Sequence, residues 1–146
     1  MKGLNIYCVT DKVKKSLETT SLILAGVGKE NFPLNYLNSN TKDNIFFKEK
    51  NYSELTFHYW FWKNILNLNE DNWIGFCQKR RFWVKKNIKN NEINELNLSS
   101  CLLDNVPAEW IKHDSILCEP IYVNKVKKMK IIKRGFKNLI RNPSIL

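Results

Sequence analysis

Short apolar runs, each cut off abruptly by polar or charged residues, punctuate this chain. Residues 4–9, LNIYCV, are β-rich and closed by Thr10-Asp11, which predicts a strand. Residues 12–19 are polar and predict a loop or a helical turn. Residues 21–27, SLILAGV, form an unbroken apolar run ending at Gly28. Such a run suits a strand covered on both faces, with a buried helix as the alternative. Residues 35–51 are rich in Asn, Ser, Thr and Lys and predict mostly loop. WIGFC at 73–77 is again uniformly apolar, and QKRR follows at once.

Residues 53–68 carry the strongest helical pattern. Leu55, Tyr59, Trp62 and Leu66 recur at the i, i+4, i+7, i+11 spacing of one face. Asn51, with Glu54 three positions later, predicts a capping arrangement at the start. Within this stretch ELTFHYWFWKN (54–64) holds six aromatic residues of eleven, counting His58. A helix so aromatic all round is expected to be buried on most sides.

Residues 86–100 are polar and predict a surface insertion. PAEWIKHD (107–114) opens with Pro, which suits the first turn of a short helix. SILCEPIYV (115–123) predicts a strand with Pro120 as a break or edge. From Lys125 to Arg141, Val126, Met129, Ile132, Phe136 and Leu139 recur at helical spacing, and Gly135 weakens that helix by about 1 kcal/mol relative to Ala. Strands alternating with helices predict an α/β fold. There is no Gly-rich phosphate loop: GVGK at 26–29 is too short, and Glu30 follows where Ser or Thr is needed.

Charge divides the chain unequally. The formal charge is +10, yet residues 1–124 hold 16 basic and 14 acidic residues, while 125–146 hold 8 basic and none acidic. A nearly neutral body (1–124) and a basic amphipathic tail (125–146) are therefore expected. With 146 residues, 43% of them hydrophobic, one core is affordable without disulfides. Cys8, Cys77, Cys101 and Cys118 make no CxxC pair, and a reduced, cytoplasmic setting is the simpler reading. The apolar stretch after Lys2 is broken by Asn5 and ends at Asp11, which is no signal peptide, and no run reaches membrane-span length.

Ligands of α/β sheets bind outside the carboxyl ends of the strands. Three predicted strands end in polar clusters there: Thr10-Asp11, Gly28-Lys29 and Gln78-Lys79-Arg80-Arg81. Adjacent arginines could bind a pyrophosphate or carboxylate through bidentate donors, against the plainer alternative of a solvated charged loop. Glu54 is read as a helix cap or as a carboxylate with a chemical role. Lys63 is read as a solvated lysine or a phosphate contact. His58, one turn after Glu54, shares its face, and a partly buried histidine outweighs an acid–base pair.

ELTFHYWFWKN followed by WIGFCQKRRFW strongly resembles a bacterial domain family classed among polysaccharide-biosynthesis glycosyltransferases of capsular and exopolysaccharide gene sets. That pattern reads Glu-Leu-Thr, two residues, Tyr-Trp, one residue, Trp-Lys-Asn, then a Gly-bearing strand and Cys-His-Tyr-Arg-Arg with an aromatic. Glu54, Leu55, Thr56, Tyr59, Trp60, Trp62, Lys63 and Asn64 match the first block; Gly75, Cys77, Arg80, Arg81 and Phe82 match the second. Weaker similarity covers the first strand, DNI at 43–45 and the segment after Asp114. Gln78-Lys79 replaces the His-Tyr of the pattern, and Gln cannot shuttle a proton near neutral pH. The family's members continue further, so a fragment, a reduced member and a shortened reading frame are all open.

The resemblance implies a Rossmann-like sandwich of the GT-A type that binds a nucleotide-diphospho-sugar and passes the sugar to a saccharide or lipid-linked acceptor. On that expectation Thr10, Asp11, Lys63, Arg80 and Arg81 bind the donor, and Glu54 or Asp114 serves as base. A Mn or Mg ion would ordinarily sit on an Asp-x-Asp motif, and none occurs here. The rival readings are a non-catalytic remnant and a basic nucleic-acid-binding module. The latter is disfavoured because basic residues and aromatics lie in different segments, so nucleic acid is not an expected partner. The tail at 125–141 could lie on an anionic membrane, placing the protein at the inner face, or pack as an ordinary surface helix.

Overall fold

The computed structural model describes residues 3–119 together with Ile132, Gly135, Phe136 and Ile140. The chain divides into two compact units, Met1–Ile111 and Lys112–Leu146. The first unit is an α/β fold on a four-stranded, wholly parallel sheet, compatible with a Rossmann-like arrangement. Its strands are β1 (Leu4–Thr10), β2 (Ile23–Gly26), β3 (Leu37–Asn38) and β4 (Trp73–Gln78), in the order β3-β2-β1-β4.

Both faces of β1 are covered over residues 6–9, which is why IYCV runs apolar without interruption there. Side chains alternate across a strand. Ile6 and Cys8 accordingly enter one core with Leu17, Leu22, Leu24, Leu98 and Leu102, while Tyr7 and Val9 enter another with Ala25, Val27, Phe57, Trp60 and Phe61. The first core is closed by α1 (Lys15–Glu18), through Leu17, and by α4 (Leu98–Cys101). The second is closed by α3 (Leu55–Asn64). At the outer edge β2 meets β3, and a Cβ on Gly26 would lie 2.4 Å from the Phe32 ring, so only glycine admits that ring against the strand.

The structure corrects several expectations. The helix runs over Leu55–Asn64 and buries Thr56, Phe57, Trp60 and Phe61; Leu55 and Trp62, on the face expected to be inside, are 58% and 56% exposed. Aromatics surround this helix, so two stripes satisfy helical spacing, and contact with Tyr7 and Phe76 of the sheet selects the Phe57 stripe. No Asn51–Glu54 cap forms, because Asn51 ends inside a separate short helix, α2 (Glu49–Tyr52), and Ser53 turns the chain at φ 47°. The Thr56 hydroxyl instead donates to the Ser53 carbonyl at 2.7 Å.

Residues 86–100 are not wholly a surface insertion, since Leu98 is buried in the first core. The strand β3 sits within the stretch read as mostly loop. Only a short 3-10 turn, Ala108–Trp110, forms after Pro107. In the second unit, residues 115–119 hold no strand. There Glu119 precedes Pro120, whose ring removes a ladder donor. The rest of that expected strand, and most of the predicted helix at 125–141, lie outside the described residues; Ile132, Gly135, Phe136 and Ile140 are helical. Among the described residues no helix is long and apolar enough to cross a membrane.

Candidate functional site

The strand order fixes where a ligand can sit. The chain winds outward from β1 through β2 to β3, then crosses back to lay β4 on the other side of β1. The direction of winding therefore reverses between β1 and β4, and the crevice beyond their carboxyl ends is the expected binding place. A cleft of about 290 Å³ lies there, lined by Val9 and Thr10 of β1 with Asp11 just after it, by Gln78 of β4 with Lys79 and Arg80 just after it, and by Glu54 at the start of α3. That volume is just under the roughly 300–1,000 Å³ of whole small-molecule sites, and suits a diphosphate-sized group better than an entire nucleotide sugar.

A tight turn shapes one wall. The Gln78 and Arg81 backbones exchange hydrogen bonds of 3.2 and 3.0 Å, leaving Lys79 and Arg80 at the corner. Both corner residues line the cleft, whereas Arg81, which is exposed, is not among the lining residues. The two arginines thus stand in different places because the strand ends before them. Arg80 forms no ion pair among the described residues.

On the opposite wall Thr10 is buried, and its hydroxyl is occupied locally: it donates to the Lys12 carbonyl at 2.7 Å and accepts from the Lys12 N–H at 3.2 Å. Asp11 emerges next to it and bonds Lys79 across the crevice. Hydrogen bonding to the Lys79 ammonium holds the Asp11 carboxyl below the usual carboxylate range. Glu54 accepts a hydrogen bond from the Gln78 amide, so the second acid of the cleft is held by a neutral partner. The sequence places Gln78 and Lys79 in the polar cluster after a buried strand but gives them no role of their own; their pairing with Glu54 and Asp11 supplies one.

Lys63 is not part of the cleft. It lies nine residues after Glu54, roughly 13 Å along a helix, and its ammonium sits 3.9 Å from the centre of the Trp62 ring. Asp114 belongs to the second unit, where it is exposed. Cys8 and Cys77 face each other across the β1–β4 ladder as free thiols; the neighbouring sulfur and burial push the Cys77 thiol up, so it remains a small protonated hydrophobe. The two carboxylates of the cleft are already engaged, by Lys79 and Gln78. No group of three His, Cys, Asp or Glu gathers among the described residues. A Mg or Mn ion requires open oxygen ligands, and this arrangement does not present a ready cradle for one.

Three further matched residues of the first block clamp a loop. Asn64 accepts from the Asp43 N–H at 3.3 Å and donates to the Asp43 carbonyl at 2.8 Å, Tyr59 donates to the Asp43 carboxylate at 3.2 Å, and the Trp60 indole donates to the Thr41 carbonyl at 2.9 Å. Tyr59, Trp60 and Asn64 thereby tie residues 41–43 to α3.

His58 rests against Phe76, with ring centres 4.4 Å apart. Burial pushes its pKa below 6.5, and the field of Glu54 only partly opposes this. The unfolded chain therefore binds a proton that the folded one refuses, so stability falls as pH drops below about 6.5. His58→Phe should flatten that part of the profile, checked by urea melts at pH 5 and pH 7.5; an unchanged slope would contradict the assignment.

The sequence profile of a family described as Domain of unknown function (DUF4422) matches residues 5–140, and the chain belongs to that family. No curated protein and no solved structure matches the chain.

Proposed function

From the resemblance of the two motif blocks and the crevice at the strand ends, we propose that the chain binds a nucleotide-diphospho-sugar and transfers its sugar in surface or capsular polysaccharide synthesis. The observation that carries this reading is a cationic corner, Lys79 and Arg80, lining the β1–β4 crevice beside the carboxylate of Glu54. The matched motif blocks support the same reading by resemblance. Glycosyl transfer leaves a diphosphate whose growing charge must be stabilised, commonly the largest electrostatic contribution to such a reaction. Arg80 is free for bidentate contacts with that group, and Lys79 adds a second point charge. Glu54 faces the same space and is the candidate to take the proton of the acceptor hydroxyl, with Gln78 fixing its orientation. A saccharide or lipid-linked acceptor remains the expected partner.

A second reading, donor binding without transfer, is favoured by one observation: Gln78 occupies the position where the family pattern has an imidazole. Gln78 can orient Glu54 but cannot carry a proton between solvent and the cleft. The test is a thermal-shift panel of nucleotide sugars with and without Mn²⁺, followed by assay of the stabilising donor for sugar transfer and hydrolysis. A true donor stabilises the folded state by mass action and raises Tm. Stabilisation with turnover supports the transferase, stabilisation without turnover the binding protein, and no stabilisation by any donor overturns both.

A further inference from the structure

Lys79 is committed before any ligand arrives. Its partner Asp11 lies 68 residues away in sequence, at the end of the neighbouring strand. The two side chains join opposite walls of one cleft. Lys79 is the more enclosed of the pair, its side chain 20% exposed against 55% for Asp11. Arg80, the next residue, has no such partner among the described residues. The cleft therefore presents one free cation and one neutralised cation.

We propose that Asp11 acts as an internal competitor of the ligand, a carboxylate that closes the crevice over Lys79 and yields it only to an anion able to engage Lys79 and Arg80 together. This inference rests on the diphosphate-binding reading and assigns Asp11 a role different from the nucleotide contact expected from sequence. Its physical basis is a difference in what two anions offer. A monophosphate can satisfy Arg80 alone and leave the Asp11–Lys79 pair intact. To recruit Lys79 as well, it must break that pair and remain beside an uncompensated carboxylate. A diphosphate has enough oxygens to meet both cations at once, and its larger charge competes better for Lys79. Partly exposed ion pairs are weak, so the exchange costs little and stays reversible. Asp11 is in this sense a specificity-determining residue: it disfavours small anions more than diphosphates.

Titration of the whole chain with UDP, ADP, GDP and CDP, each beside its monophosphate, tests this. Asp11→Asn keeps the size of the side chain and removes the competing charge. Relative to the unaltered chain, it should tighten the diphosphate that binds by about fivefold and tighten the monophosphate more, narrowing the gap between them. Asp11→Ser provides a second variant lacking the carboxylate, and a thermal melt of each establishes folding. In Lys79→Ala the effect of Asp11→Asn should shrink toward nothing, since the two changes act on one interaction. If the unaltered chain binds a diphosphate but Asp11→Asn leaves it unchanged or weaker, Asp11 is not a competitor and the inference fails alone. If no nucleoside diphosphate binds to either chain, the underlying reading fails and takes the inference with it.

Discussion

Phe57→Ala should lose about 3–5 kcal/mol of folding stability, the usual cost of emptying a fully buried aromatic site. Phe57 has no exposed surface, and its ring lies within 6.4 Å of the ring centres of Tyr7, Trp60, Phe61 and Phe76. These rings come from β1, α3 and β4, so the cavity would open where helix and sheet meet. Against a typical total of about 5–15 kcal/mol, such a loss brings a marginal domain close to unfolding. Leu55→Ala, two residues earlier and on the exposed face, should change stability by less than about 0.5 kcal/mol. Chemical denaturation of both variants reads the contrast. Equal losses would mean that the helix packs through the other stripe.

The second large effect concerns binding and separates two adjacent arginines. Under the proposed function, Arg80→Ala removes charge-assisted hydrogen bonds to the diphosphate, each worth about 1.5–3 kcal/mol, and should weaken affinity by roughly ten- to a hundredfold. Arg81→Ala should change it less than about twofold, because Arg81 lies past the turn on an exposed surface and does not line the cleft. Neither change touches the buried core, so both variants should melt near the parent. Calorimetric titration with the best ligand of the donor panel measures the ratio. Equal losses at both positions would show that the Gln78–Arg81 turn does not direct the two side chains apart.

Particular residues show how far the sequence could be read. The strands β1 and β4 were legible because burial leaves short, mostly apolar runs, and the run holding β2 was legible as buried but left a helix open as the alternative. Their carboxyl ends were legible as well, since Thr10-Asp11 and Gln78–Arg81 break those runs sharply. β3 was not, because two residues, Leu37 and Asn38, make no periodic signal and are strand only through their pairing with Ala25 and Gly26. α3 was legible as a helix but not as to which side faces inward: hydrophobicity alone does not distinguish Trp62 from Trp60. What distinguishes them is tertiary, an indole N–H on Trp60 that reaches the Thr41 carbonyl while Trp62 stays outside. Arg80 was found because it follows a strand end, and Glu54 because it opens the aromatic helix. Gln78 and Lys79 were visible in the same cluster but not their roles, which arise from contacts 24 and 68 residues away that local spacing does not encode.

The pairing of β1 with β4 also bears on how the chain acquires its structure. These strands are contiguous in the sheet, yet the Gly3–Asn72 bond at the start of their ladder spans 69 residues. Closing so long a loop carries a substantial entropic cost before any contact is gained, and parallel sheets built this way fold slowly. During synthesis β1, β2 and β3 emerge first, leaving one long edge of β1 unpaired until the strand that carries Lys79 and Arg80 leaves the ribosome. That edge is an opening for pairing with other chains, and the crevice between β1 and β4 can form only once β4 has docked on it.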